Sequence, residues 1–121
     1  MNDHLLIIED NPQNLYMMRF LLEKNGFTII GAPDGRQGVA EALRRRPRAI
    51  LLDIQLPEMD GYAVAEALKG HPELAEVPII AVTSYAMVGD REKALEAGCT
   101  GYMEKPINPA TFMDEIHRYL R

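Results

Sequence analysis

Five side chains could do chemistry together in this chain, and each stands where an apolar run stops. Leu5 to Ile8 leads into Glu9 and Asp10, Ala49 to Leu52 into Asp53, Val77 to Val82 into Thr83, and Gly101 to Glu104 into Lys105. An acidic pair, a third acid, a hydroxyl and an amine are a set suited to handling a charged group. Three carboxylates brought together repel, so they need a cation or a proton as compensation. With only oxygen donors at hand, a hard divalent ion such as Mg2+ fits, held by carboxylates, retained waters and phosphate oxygens. No His or Cys clusters near these positions, which argues against zinc. A carboxylate beside such an ion, with a lysine and a hydroxyl in reach, is equipped to act as a nucleophile that accepts a phosphoryl group. The neighbouring charges would then serve its three equatorial oxygens. Each residue alone has an ordinary explanation, since a strand-end Asp or Thr often caps a helix and Lys-Pro often marks a turn. Their joint occurrence at successive strand ends favours chemistry.

For the five to meet, the strands must run parallel with their carboxyl ends on one edge, and the rest of the chain has that pattern. The apolar runs are continuous rather than alternating, as in strands covered on both faces. Between them lie helical stripes: Leu15, Met18 and Leu22, closed by Gly26; Val39, Ala42 and Leu43, ending near Pro47; Val64, Ala67 and Leu68, ending before Gly70. A second strand is expected at Phe27 to Ile30, with Asp34 as the next helix cap. The third helix is expected to start at Asp60-Gly61, a fourth to run from about Asp90 to Ala97, and a fifth to follow Asn108-Pro109. The fifth carries Phe112, Ile116, Tyr119 and Leu120 on its apolar face. Strand and helix alternating five times predict an α/β fold: a parallel sheet with right-handed crossovers and helices on both faces.

The 121 residues suit one domain over 1–121, with the hydrophobic (47%) and charged (26%) fractions of an ordinary globular protein. A net charge of -5 argues against a nucleic-acid surface. The local Arg44-Arg45-Arg46 and Arg48 cluster reads as a solvated helix end. Cys99 is the single cysteine, so no intramolecular disulfide can form, and a reducing compartment is expected. Met1-Asn2-Asp3-His4 has no basic n-region, so no signal peptide is expected, and no apolar run approaches the ~20 residues of a membrane span. The expectation is a soluble, cytoplasmic protein without membrane or direct nucleic-acid contact. His4, His71 and His117 are scattered and expected to be exposed, and the seven methionines to fill core gaps.

Taken together, Ile7-Ile8-Glu9-Asp10-Asn11, Leu52-Asp53-Ile54-Gln55-Leu56-Pro57-Glu58-Met59-Asp60-Gly61, Ala81-Val82-Thr83 and Lys105-Pro106 resemble the motifs of the response-regulator receiver domain, the CheY-like family. The resemblance covers essentially the whole chain. Within the family it points to small stand-alone regulators of bacterial cell-cycle phosphorelays and to receiver modules of hybrid kinases. It implies a doubly wound (βα)5 flavodoxin-like fold with strand order 2-1-3-4-5. Asp53 would be phosphorylated from a phosphohistidine on a sensor histidine kinase or a histidine phosphotransfer protein. Asp10, Asp53 and the main-chain carbonyl of Gln55 would bind Mg2+, with Glu9 reaching it through water. Thr83 would swing toward the phosphoryl group, Lys105 would pair with it, and Tyr102 would be the switch aromatic that turns inward with Thr83. The Lys105–Pro106 bond would be cis. Output would pass through the surface of helix 4, strand 5 and helix 5 to a protein target, by a monomer or a phosphorylation-dependent dimer. No segment after Arg121 is present to act as an effector, so signalling would go through binding or onward phosphotransfer rather than enzymatic turnover. Gln55 and Tyr85 flank the path of attacking water, and bulky Tyr85 is expected to slow self-dephosphorylation; Ser84 is expected to matter little.

Three other readings compete. Met1 directly before the first strand favours a free-standing protein over a receiver module excised from a hybrid kinase. A haloacid-dehalogenase-like phosphatase would place its nucleophile after the first strand with a second Asp two positions on, but Asp10 is followed by Asn11-Pro12. A flavodoxin-like carrier needs a Ser/Thr/Gly-rich loop there, not Glu9-Asp10-Asn11-Pro12.

Overall fold

Leu5, Leu6, Ile7 and Ile8 are all fully buried, so strand β1 (His4–Ile8) is covered on both faces. In the computed structural model, which describes residues 3–56, 60–84 and 88–120, four more strands lie parallel to it. These are β2 (Thr28–Ala32), β3 (Ala49–Asp53), β4 (Ile79–Thr83) and β5 (Gly101–Glu104), in the order β2-β1-β3-β4-β5. Five helices connect and cover them: α1 (Pro12–Lys24), α2 (Gly35–Arg45), α3 (Gly61–Lys69), α4 (Asp90–Glu96) and α5 (Pro109–Tyr119). The doubly wound architecture and strand order are those the sequence led to.

The two-residue strand period sorts the sheet's side chains onto two cores. Leu5, Ile7, Ala49, Leu51, Ile80, Val82 and Met103 face α1 and α5, where Met18, Leu22, Phe112 and Ile116 meet them. Leu6, Ile8, Ile50, Leu52, Ile79 and Ala81 face the other way, toward Ala42 of α2, Val64, Ala65 and Leu68 of α3, and Ala94 of α4. No helix among the described residues is long and apolar enough to cross a membrane.

Helix starts follow local chemistry. Asn11, Asp34, Asp60 and Asn108 each accept a backbone N–H of the first turn, capping α1, α2, α3 and α5. Proline opens α1 and α5, where its missing N–H costs nothing. Gly26, at φ 93, closes the first helical unit in the left-handed region. Gly61 donates its N–H to Ile54 O at 3.2 Å, and a Cβ there would collide with the Ile54 backbone. That contact folds the chain tightly behind Asp53.

Several expected boundaries shift. The second strand starts at Thr28 and runs on to Ala32 rather than from Phe27 to Ile30, and Phe27 instead packs, half-buried, on the α1/α5 core. The buried stripe of α3 is Val64, Ala65 and Leu68; Ala67 is only half-buried. Pro78 precedes β4, so its missing donor falls outside the ladder, while its carbonyl accepts Ile50 N at 2.9 Å. A short 3-10 turn at Pro72–Leu74, which the Gly70-His71-Pro72 break concealed, plugs the buried Leu74 into the core. His4 and His71 are half-buried and only His117 is exposed, against the expectation that all three face solvent. Arg44 and Arg45 are exposed in the last turn of α2 and pair with Glu41, as a solvated helix end should.

Candidate functional site

The carboxyl ends of β1, β3, β4 and β5 lie side by side, and register brings their terminal residues together. Ile8 is level with Leu52, Asp53 with Val82, and Thr83 with Glu104. The residue just beyond β1 is thus level with Asp53, and the residue just beyond β5 follows Thr83. Backbone bonds continue past the strands, Glu9 N to Ala32 O at 3.0 Å, Ile54 N to Val82 O at 3.0 Å, and Lys105 N to Thr83 O at 2.7 Å. These hold the end residues as firmly as strand interiors.

Glu9, Asp53 and Thr83 are the buried polar residues among those described, at 2%, 4% and 1% exposure. Asp10 is exposed at the rim, and one carboxylate oxygen from each of Glu9, Asp10 and Asp53 lies within 4.8 Å of the others. The Lys105 ammonium enters from β5, 2.7 Å from Glu9 Oε1 and 3.5 Å from Asp53 Oδ2. It therefore pairs more closely with Glu9 than with the strand-end aspartate. The other Glu9 oxygen accepts Asn11 N at 3.2 Å, and Asp53 Oδ1 accepts Gln55 N at 2.9 Å. The Lys105–Pro106 bond is cis.

Burial pushes the Glu9 carboxyl up from 4.5 to about 7; Lys105 pulls it back, while Asp53 adds to the rise. One ammonium does not neutralise this many acids. An all-oxygen donor set carrying surplus negative charge fits a hard divalent cation of the Mg2+ type.

Six residues singled out in the sequence meet at this edge: Glu9, Asp10, Asp53, Gln55, Thr83 and Lys105. Tyr102 sits on β5, half-buried against the α2/α3/α4 core, with its hydroxyl buried and without a hydrogen bond among the described residues. Tyr85, and Pro57, Glu58 and Met59 of the motif after Asp53, lie outside the described residues. The sequence reading missed the Gln55 side chain. Its Nε2 donates to Thr83 Oγ1, and its Oε1 accepts Ser84 N at 2.9 Å. Only the alignment of β3 with β4 reveals this, because 28 residues separate Gln55 from Thr83.

A doubly wound sheet with this acidic, lysine-paired pocket defines a class, and comparison with known sequences gives the same one. Residues 5–117 match the family described as the response regulator receiver domain, and the chain belongs to that family. It is 41% identical over 116 residues to the polar-differentiation response regulator DivK of Brucella anthropi, covering 96% of this chain and 94% of the relative. Among solved structures it resembles the receiver domain of the sensor histidine kinase PA1611 of Pseudomonas aeruginosa PAO1, at 36% identity and TM-score 0.89. That alignment covers 99% of this chain and 98% of the other, and the other structure has a magnesium ion coordinated in its active-site cleft. The chemotaxis protein CheY4 of Vibrio cholerae superposes with TM-score 0.93 at 25% identity, over 98% of this chain and 99% of its own. The family assignment sets aside the flavodoxin-like and haloacid-dehalogenase-like readings. The chain is a response-regulator receiver domain whose acids cluster as in a metal- and phosphoryl-binding site.

Proposed function

We propose that Asp53 is the phosphoryl acceptor of a two-component or phosphorelay pathway, in a receiver domain spanning 1–121. The observation that carries this is the meeting of Glu9, Asp10 and Asp53 oxygens within 4.8 Å, with Lys105 Nζ 3.5 Å from Asp53. The donor is a phosphohistidine on a sensor histidine kinase or a histidine phosphotransfer protein. An Asp53 carboxylate oxygen attacks phosphorus as the P–N bond breaks, and the departing imidazole keeps the electron pair and takes a proton. Burial at 4% exposure strips water from the nucleophile and strengthens every charge around it. Lys105 and the Thr83 hydroxyl each serve one phosphoryl oxygen.

Asp10, Asp53 and the Gln55 carbonyl would hold Mg2+, with Glu9 acting through water. When bound, the ion neutralises charge on the acids and on the transferred group. Phosphorylation shifts an existing equilibrium in which Thr83 and Tyr102 move together, altering the α4-β5-α5 surface presented to a protein target. The protein works in the cytoplasm as a signalling component, a monomer or a phosphorylation-dependent dimer, rather than by turning over a substrate. The likeness to the response regulator DivK over 94% of that relative's length supports this reading, and the receiver domain of a sensor histidine kinase at 36% identity supports a second one, a module of a larger kinase.

Incubation with acetyl phosphate tests the chemistry. Intact mass should rise by about 80 Da with Mg2+ and stay unchanged with a chelator present. Adduct formation that ignores the chelator would refute the metal-assisted reading.

A further inference from the structure

The Gln55 side chain makes contacts that metal binding does not require. Its backbone N–H is bonded to Asp53 Oδ1, while its side-chain amide reaches across to Thr83 Oγ1 and Ser84 N. One residue thus joins the acceptor carboxylate to two successive residues at the end of the next strand. The amide's orientation is fixed by its partners: Ser84 N–H can only donate, so the carbonyl must face it, and the NH2 is left for the hydroxyl. Gln55 is exposed, and ordering a long exposed side chain costs rotamer entropy. Two bonds from one amide outweigh that cost in a single arrangement of the β4 end.

We propose that the Gln55 carboxamide is a positioning residue, a clasp that holds Thr83 and Ser84 in the resting arrangement. This rests on Asp53 being the phosphoryl acceptor and Thr83 its moving hydroxyl. The Thr83 hydroxyl leaves the amide as it turns to the phosphoryl oxygen, and Ser84 N–H is released with it. The clasp therefore belongs to one of the two states, and its removal favours the other.

Gln55→Met keeps the backbone N–H and carbonyl and the side-chain length but deletes both bonds. Two NMR measurements on the full chain test the proposal. In the metal-free protein, Ser84 amide exchange should speed up several-fold in Gln55→Met; an unchanged rate would overturn the clasp without any reference to phosphoryl chemistry. Titration with beryllofluoride and Mg2+, as a phosphoryl mimic, should give Gln55→Met roughly three- to tenfold tighter binding than wild type, the size of one or two hydrogen bonds. In a Thr83→Ala background the same substitution should have no effect on affinity. An equal change in both backgrounds, or weaker binding, would overturn the coupling to Thr83. Failure of the wild type to bind beryllofluoride would instead overturn the acceptor reading and the coupling with it, while Ser84 exchange still decides whether the clasp exists.

Discussion

The helices that cover the two faces of the sheet are not equally anchored, and α4 stands apart from the pair α1 and α5. On one, α1 and α5 are 13 and 11 residues long, begin with proline, and are capped by Asn11 and Asn108. They bury Met18, Leu22, Phe112 and Ile116. On the other, α4 has only 7 residues, buries only Ala94, and alone among the five helices lacks a side-chain N-cap. Gly89 begins it at φ 91, and Val88 before it is fully exposed. Among the contacts that hold α4, the Tyr62 hydroxyl donates to Asp90 at 3.4 Å, and Lys93 Nζ lies 5.2 Å from the Tyr62 ring centre. Parts of a protein that move are drawn from its least stable elements. By strand alternation, Glu9, Asp53 and Lys105 continue the side-chain rows facing α1 and α5, and Thr83 and Tyr102 those facing α3 and α4. The charged pocket thus stands on the α1/α5 face, and the proposed switch residues Thr83 and Tyr102 on the face that the lightly anchored α4 helps to cover.

Several substitutions and a change of pH probe the core, the pocket and α4 in turn. Phe112→Ala, in the α1/α5 core, should cost about 3–5 kcal/mol in urea unfolding. Leu95→Ala, on α4 and 46% exposed, should stay within about 1 kcal/mol. Comparable losses would mean that α4 is anchored as firmly as α5. Lys105→Met leaves Glu9 and Asp53 buried without their cation and should cost roughly 3 kcal/mol in metal-free protein. Adding Glu9→Gln should recover part of that loss, and strict additivity of the two changes would show that the pair is not coupled.

Glu9 also gives a pH signature. Its folded pKa of about 7 exceeds the ordinary 4.5, so between these values the native state keeps a proton that the unfolded chain has lost. This contribution is complete below the unfolded pKa and is lost as pH rises through about 7. With a chelator present, the stability of wild type relative to Glu9→Gln should fall by about 1 kcal/mol or more from mildly acidic to mildly alkaline pH. A relative stability that rises with pH would contradict a buried, proton-holding Glu9. The smallest effect is expected of Tyr62→Phe, under about 1 kcal/mol. It should appear as faster amide exchange in α4 with α5 unchanged, and equal acceleration in both helices would break the contrast.

Much of this was legible in the sequence, for physical reasons. Continuous apolar runs ending on Asp53, Thr83 and Glu9 fixed the strand ends because two-sided burial leaves no other residue types there. The caps Asp34, Asp60 and Asn108 were readable because a first-turn N–H needs a local oxygen. The extension of β2 through Gly31 to Ala32 was hidden because glycine carries no propensity signal for a strand. Helical spacing could not separate Ala65 from Ala67, since which alanine is buried depends on how α3 sits on the sheet. The Gln55 amide escaped notice for the opposite reason. Its partners are far away in sequence, and an exposed glutamine carries no local signature of a long-range bond.

The most direct test of the central claim locates the phosphoryl group. After reaction with acetyl phosphate and Mg2+, borohydride reduces an aspartyl phosphate to homoserine, which peptide mass spectrometry can place. Homoserine should appear at position 53 alone, and Asp53→Asn should yield no adduct at all. An adduct that persists in Asp53→Asn, or homoserine at Asp10 instead, would contradict the assignment of the buried strand-end aspartate as the acceptor.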